Sequence, residues 1–263
     1  MGLRLTVQGA DYSKLAPNFA AAVPGGLEYL NFFGGFKESL SRNLAPGGAP
    51  GVVVGNPQVG ADSATFTQMQ DYIQTLVKDS ANKTVMAVGK SPSPPAQNIL
   101  VSNYRGQRQN AGAGWENSTL GRTLTFAAST VEGTDNEQFF STHWNGSTGA
   151  SSTTVNSSIS ARPAGRVSCL VGRSNNAGGA IATEKTVRID NKTDGLFKET
   201  KFSNAVFDLG AEFRIGGAYI VLSAASAQEV HFVAVWNRYL TDAEVESMYK
   251  QVSAYYRRRG IAL

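Results

Sequence analysis

The stretch Val230-His231-Phe232-Val233-Ala234-Val235-Trp236-Asn237-Arg238-Tyr239-Leu240-Thr241-Asp242-Ala243-Glu244-Val245 decides the fold class. From Val230 to Trp236 nearly every side chain is apolar, so neither set of alternate positions is suited to water. A short run of this kind, rich in β-branched and aromatic residues, reads as a strand covered on both faces. Thr241-Asp242-Ala243-Glu244 follows as a capping box: the Thr241 hydroxyl can accept from the Glu244 amide while the Glu244 carboxylate reaches back. Val245, Met248, Tyr249, Val252 and Tyr256 then recur at helical spacing and form one apolar stripe. Arg257, Arg258 and Arg259 suit the negative end of the helix dipole, and Gly260 supplies a left-handed stop. Together these signals predict a helix over 242–259 that locks the doubly covered strand.

Outward from this segment, short apolar runs are punctuated by Ser, Thr, Asn and 28 glycines, as in an all-β sandwich. Strands are expected at 3–8, 27–33, 51–54, 64–67, 72–77, 84–88, 98–104, 123–127, 137–143, 153–159, 166–171, 186–189, 213–215 and 229–236. In Thr123-Leu124-Thr125-Phe126 the apolar side chains alternate with polar ones, so one face points inward. Leu44-Ala45-Pro46-Gly47-Gly48-Ala49-Pro50-Gly51 and Ser91-Pro92-Ser93-Pro94-Pro95 read as turns, because proline fixes φ and glycine disfavours order. A leader over 1–24 precedes the main body at 25–263, and no internal repeat is visible.

The chain has 263 residues, 41% of them hydrophobic and 17% charged, which suits one large all-β domain. A domain of this size buries about 70–75% of its unfolded surface and needs neither disulfide nor metal to hold it. Cys169 is the single cysteine, which excludes an intrachain disulfide and a multi-thiolate zinc site. His143 and His231 are too few for a histidine-rich metal cluster. No apolar run approaches the roughly 18 residues of a membrane-spanning helix, so no membrane insertion is expected. No signal peptide is readable at the N-terminus. A net charge of +4, with no dense basic tract before Arg257–Arg259, gives no reason to expect a nucleic-acid partner.

Phe213-Arg214-Ile215-Gly216-Gly217, the run from Val230 to Trp236, Asn237-Arg238, Leu240 and Thr241-Asp242-Ala243-Glu244-Val245 form an ordered string. It resembles the last strands and terminal helix of laminin-G-like, concanavalin-type jelly rolls. In that family an Ile-Gly-Gly turn precedes a late strand ending in aromatic-Asn-Arg-x-Leu, and a helix beginning Ser/Thr-Asp-x-Glu follows. Family members often carry a glycine where this chain has Gln228-Glu229. The resemblance implies an all-β antiparallel jelly-roll sandwich (concanavalin-like, laminin-G-like) with one C-terminal α-helix. Trp236 would close the sandwich, Leu240 would act as a hydrophobic staple and Thr241 would cap the helix. Three upstream segments are similar to tailed-phage and prophage proteins built on this jelly roll: Gln8-Gly9-Ala10-Asp11-Tyr12-Ser13, Asn43-Leu44-Ala45-Pro46-Gly47 and Thr84-Val85-Met86-Ala87-Val88-Gly89-Lys90.

Motifs for chemistry are sparse. Glucanases of this fold align carboxylates at alternate strand positions, and the nearest segment here is Glu132-Gly133-Thr134-Asp135-Asn136-Glu137. Glu132 and Asp135 would face opposite sides of a strand, leaving only Asp135 and Glu137 together. Asp190-Asn191-Lys192-Thr193-Asp194-Gly195 has the outline of a calcium loop, but Lys192 and Lys201 stand where oxygen ligands belong, so a hairpin turn is expected. Calcium, which some members of the resembled family bind at a rim, is the one cofactor considered; otherwise none is expected, and no metal site. Gly89-Lys90-Ser91 lacks the first glycine and the following helix of a phosphate loop. Met1-Gly2 with Thr6 fits a myristoylation pattern but also begins a strand. Cys169, between Val167 and Val171, reads as a small core residue, and both histidines as packed or interface residues.

No catalytic residue is assigned, and the chain is expected not to be an enzyme. Sugar binding would use aromatic faces beside amide and carboxylate groups. Tyr104, Trp115, Trp144 with Asn145, and Tyr219 are the candidate ligand residues. The resemblance implies a non-enzymatic virion structural protein of a tailed phage, a tail, fibre or decoration component. Its lectin-like jelly roll would serve attachment or host-glycan binding. Expected partners are other virion proteins, further copies of itself in a homo-oligomer, and a host surface glycan. The expected location is the virion, assembled in the host cytoplasm. The alternatives are a glycan-active hydrolase of the concanavalin-like fold and a bacterial lectin-like adhesion domain.

Overall fold

Two antiparallel sheets stack face to face, and a single helix lies on the outside of one of them. The computed structural model describes residues 20–67, 70–90, 96–104, 122–128, 136–144, 152–160, 165–175, 185–202, 206–207, 209–219 and 227–263. The strands are β1 (Leu27–Phe32), β2 (Val52–Val54), β3 (Gln58–Val59), β4 (Ala64–Thr67), β5 (Tyr72–Gln74), β6 (Lys83–Lys90), β7 (Ala96–Ser102) and β8 (Arg122–Ala128). They continue as β9 (Asn136–Trp144), β10 (Ser152–Ser160), β11 (Val167–Asn175), β12 (Lys185–Asn191), β13 (Leu196–Phe202), β14 (Val206–Phe207), β15 (Arg214–Ile215) and β16 (Ala227–Trp236). The helix is α1 (Asp242–Arg257).

The first sheet, called here the covered sheet, runs β13-β12-β11-β6-β16-β4-β3, with β1 also paired to β16. The second, the open sheet, runs β10-β9-β8-β7-β15-β5-β2, with β14 on β9. All pairings between described strands are antiparallel. This is the expected all-β jelly-roll sandwich with one C-terminal helix, and most expected strands fall within a residue or two of their observed bounds.

β16 explains why the apolar run is continuous. Val230 pairs with Gly89, yet Phe232 already pairs with Val88, so an extra residue enters the ladder at His231. A bulge of this kind shifts the inward–outward phase by one. Val230, Val233 and Val235 therefore face the core between the sheets, packed with Phe66, Val85, Leu170, Ile189 and Ile215. Phe232, Ala234 and Trp236 face the other way, into a second core beneath α1 with Val245, Met248, Val252 and Tyr256. Trp236 does not close the sandwich, as expected from its place at the end of the strand. The bulge sets it on the helix side, where its indole Nε1–H donates to the Val23 carbonyl at 2.8 Å.

The helix start is as read. The Glu244 amide donates to Thr241 Oγ1 at 3.3 Å, and the Thr241 amide donates to Glu244 Oε2 at 2.9 Å. Leu240 and Val245, on either side of the cap, share the helix-side core as a hydrophobic staple does. The regular helix ends at Arg257, two residues short of 259. Gly260, at φ +78, donates to the Arg257 carbonyl and Ile261 to that of Tyr256, which closes the last turn as a Schellman motif. Two further contacts seat the helix: the Tyr256 hydroxyl donates to the His231 carbonyl at 2.6 Å, and the Gln251 amide bonds Ala22 and Ala20 of the incoming chain.

Elsewhere the strand between 72 and 77 stops at Gln74, because Thr75 turns its amide and hydroxyl to the Phe213 carbonyl. β3, β13 and β14 were not foreseen; β13 is an edge strand whose Lys198, Glu199 and Lys201 mask the alternation that marks a strand. Lys192–Gly195 is the hairpin turn between β12 and β13, with Gly195 at φ +69. The expected strand at 3–8 and the Ser91–Pro95 loop lie outside the described residues. His231 is packed: its Nδ1 lies 2.9 Å from the Asp62 carbonyl and its ring meets Tyr256 edge-on. Cys169 is fully buried in the helix-side core, and burial pushes its thiol up to about 12.

Removal of the cap in Thr241→Ala is expected to lower stability by about 1 kcal/mol, read as a drop in Tm of about 2–4 °C. The Arg238 guanidinium, and after it the Thr241 amide, hold the Glu244 carboxyl down to about 2 from its ordinary 4.5. The folded state therefore binds this proton less readily than the unfolded chain. Its stabilisation is full above pH 4.5 and disappears as pH falls toward 2. Urea midpoints of wild type and Glu244→Gln should differ at pH 6 and converge near pH 2.5. A thiol reagent should leave Cys169 unmodified in the native chain and react with it in urea; rapid native labelling would contradict its placement.

Candidate functional site

The covered sheet has α1 packed on the outer side of β1, β6, β11 and β16, and the described outer face of the open sheet carries a different set of groups. Ile73 and Ile215 are fully buried and point into the core between the sheets, which turns their neighbours Tyr72, Gln74 and Arg214 outward. Ladder register puts Ser102, Arg214, Gln74 and Val52 directly opposite one another across β7, β15, β5 and β2. Residues facing in this way share one side of a sheet. Val52 is 57% exposed, an apolar margin to an otherwise polar and aromatic row.

Arg214 is the centre of this face. Its guanidinium carbon lies 4.1 Å from the Tyr72 ring centroid and 3.7 Å from that of Tyr219, so the cation is stacked against both rings. Nε donates to Gln74 Oε1 and Nη1 to the Ala218 carbonyl, each at 2.9 Å. Among the described residues Nη2 has no acceptor and Arg214 forms no ion pair. The Tyr219 hydroxyl donates to the Glu212 carbonyl at 2.9 Å and sits 3.3 Å from Gln74 Oε1. Burial raises the Tyr219 hydroxyl above the ordinary tyrosine range, so it stays protonated at neutral pH. The stack is a fixed, planar cation with an aromatic border, able to donate to a carboxylate or sugar oxygens.

Two of the candidate ligand residues, Tyr104 and Tyr219, are joined through their backbones beside this row. The Tyr219 amide donates to the Tyr104 carbonyl at 2.9 Å, while the Tyr104 amide donates to Ser102 Oγ at 2.8 Å. Trp144 ends β9, opposite Ser152 and Val206, and is separated from β15 by β8 and β7. Trp115 and Asn145 lie outside the described residues, as do Glu132 and Asp135. Tyr72, Gln74 and Arg214 were not anticipated as site residues. Their signal was the alternation in Tyr72-Ile73-Gln74 and Arg214-Ile215, which sets polar or aromatic groups opposite buried isoleucines.

The immediate sequence of Gly216 also positions this face. Gly216 has φ +75, and a Cβ there would run into the Phe66 side chain, which is fully buried. Only glycine lets the Ile-Gly-Gly turn carry the chain from β15 to Ala218 and Tyr219.

A second polar constellation lies at the helix start. Arg173, 1% exposed, donates through Nε and Nη2 to Asp190 Oδ2 and through Nη1 to the Leu240 carbonyl, with Asp242 at 2.7 Å. Arg188 takes Asp190 Oδ1 at 2.7 Å, and Lys192 takes Glu246 at 2.9 Å. Arg173, Arg188, Asp190, Lys192 and Asp242 line a shallow cleft of about 110 Å³ beside exposed Phe197. Each acid there is satisfied by a cation, so the cluster joins α1 to β11 and β12. The calcium-loop outline dissolves in the same way: Asp190 serves the arginines, and Asp194 pairs with Arg166 at 2.6 Å. Among the described residues no group of three or more His, Cys, Asp or Glu is placed to hold a metal.

No family model and no curated protein matches the sequence. Solved structures do match in fold. The botulinum neurotoxin serotype D ligand-binding domain in complex with N-acetylneuraminic acid superposes with a TM-score of 0.59 at 9% identity, over 88% of this chain and 52% of that one. The receptor-binding domain of botulinum neurotoxin type G gives 0.55 at 11% identity, over 87% and 52%. A mutant Trypanosoma rangeli sialidase displaying trans-sialidase activity gives 0.52 at 16% identity, over 88% and 34%. The chain thus spans about half the length of the toxin domains it resembles. At these identities the likeness is one of fold. The class that the fold defines is a jelly-roll β-sandwich.

The two arginines should respond differently to substitution. Arg173→Met is expected to cost about 3–5 kcal/mol, because it breaks a buried ion pair. Arg214→Gln should cost about 1 kcal/mol, the scale of a partly exposed cation–π contact. Chemical denaturation of both variants checks the contrast.

Proposed function

We propose that this chain is a non-enzymatic glycan-binding module whose ligand lies on the outer face of the open sheet, over Tyr72, Gln74, Arg214 and Tyr219. The observation that carries the reading is the Arg214 stack: a cation held rigid between two tyrosine rings, with hydrogen-bonding capacity left over. Preorganisation of this kind lowers the entropic cost of binding a polar ligand. The apolar margin of Val52 suits the carbon-rich face of a sugar ring. Support in kind comes from a neighbour of the same fold whose structure contains N-acetylneuraminic acid. The module acts passively, by presenting a rigid surface. Avidity would come from several copies in a homo-oligomer, each with a weak site.

The setting we propose is a tailed-phage virion, with residues 1–24 docking the module onto a neighbouring copy or another virion protein. It rests on the resemblance of the three short upstream segments. Mass spectrometry of purified phage particles from the host should detect the chain; its absence removes the virion setting and leaves glycan binding untouched.

The glycan reading is tested on an array of neutral and acidic oligosaccharides with wild type, Tyr72→Ala and Tyr219→Ala. Wild type should bind at least one glycan, and each variant should bind at least tenfold more weakly with an unchanged circular-dichroism spectrum. Unaltered binding by both variants would move the site elsewhere and overturn the proposal. New reducing ends accumulating during incubation would establish an enzyme instead.

A further inference from the structure

We propose that the open face selects carboxylate-bearing sugars, with the carboxylate received by the outer edge of the Arg214 guanidinium; this rests on the glycan-binding reading above. The other largely buried arginine, Arg173, is matched by Asp190 and Asp242, and Arg188 shares the same two acids. The half-buried Arg238 takes both carboxylate oxygens of Glu244. Arg214 is treated differently. The acid nearest it in sequence, Glu212, forms no ion pair with it among the described residues: its carbonyl accepts from Tyr219 and its carboxylate acts on Tyr219 through space. Part-buried cations are normally compensated, because an uncompensated one carries the cost of lost hydration. Here the two rings and the neutral acceptors Gln74 Oε1 and Ala218 O hold the group in place without cancelling its charge.

The geometry restricts what can complete the site. The Tyr72 and Tyr219 rings lie 4.1 and 3.7 Å from the guanidinium carbon and Gln74 occupies Nε, which leaves the Nη groups for a ligand. Among the described residues both protons of Nη2 and one of Nη1 have no acceptor, so each nitrogen has a donor to offer to the two oxygens of a carboxylate. A neutral sugar hydroxyl can use one of these donors and leaves the charge unanswered. A carboxylate answers both. Val52 flanks the row for the ring that bears it. Lysine could not replace arginine here, since its point charge neither stacks nor forks.

Calorimetric titration of the full chain tests this with three carboxylated oligosaccharides: oligogalacturonate, oligoalginate and α2,8-linked oligosialic acid. Each is compared with its carboxyl-reduced counterpart. The expected result is that at least one acidic oligomer binds tenfold or more tightly than its reduced form. Arg214→Gln should erase that preference, while Arg258→Gln, which removes one equally charged but exposed side chain, should keep it. Equal affinity for acidic and reduced oligomers overturns carboxylate selection and leaves glycan binding standing. Equal weakening by the two arginine variants overturns it too, because the attraction would then be that of a net-positive chain for any polyanion. If none of the three acids binds while neutral glycans bind on the array, this inference alone fails. If nothing binds in either assay, both readings fail.

Discussion

The double burial of β16 is the constraint on which the rest of this structure depends. A strand that is apolar on both sides must have a layer on each. One layer is the open sheet; the other is α1. The bulge at His231 makes this possible with a near-continuous apolar run, because it assigns Val230, Val233 and Val235 to one core and Phe232, Ala234 and Trp236 to the other. Among the described residues, α1 packs on the outside of the covered sheet and no helix packs on the open one.

The charged groups divide along the same line. Under and beside α1, arginines are used up: Arg173 crosses from β11 to the Leu240 carbonyl and Asp242, tying the covered sheet to the first turn of the helix. Its pairing satisfies buried partners and gives the junction one geometry. On the open sheet Arg214 is also held on several sides, but by rings and neutral oxygens. The first arrangement consumes charge to position an element, whereas the second positions a charge and leaves it to be used. Proteins build binding sites in the second way, with rigid supports around a group whose own demand is unmet.

Much of the fold was legible because its signals are local. The capping box at Thr241, the stripe from Val245 to Tyr256 and the unbroken run before them each have a single physical reading, and the structure contains all three. What was not legible depended on context. No local pattern marks the His231 bulge, so Trp236 was assigned to the wrong layer. β13 hides its edge behind lysines and a glutamate, and β3 and β14 are two residues each. The site was half visible. Tyr104 and Tyr219 stand out as aromatics in glycine-rich surroundings, and a backbone hydrogen bond joins them. Arg214 and Gln74 look ordinary in sequence, since what matters about them is that β15 pairs with β5, two segments 140 residues apart.

The most direct test of the central claim, that the helix-free sheet carries the ligand, is to follow backbone amide resonances of the full chain during titration with the acidic oligosaccharide it binds most tightly. The account predicts shifts concentrated in Tyr72–Gln74, Ser102–Tyr104 and Arg214–Tyr219, with α1 and the β12–β13 hairpin unmoved. Shifts confined to α1 and to the cleft around Arg173, Arg188 and Phe197 would contradict it.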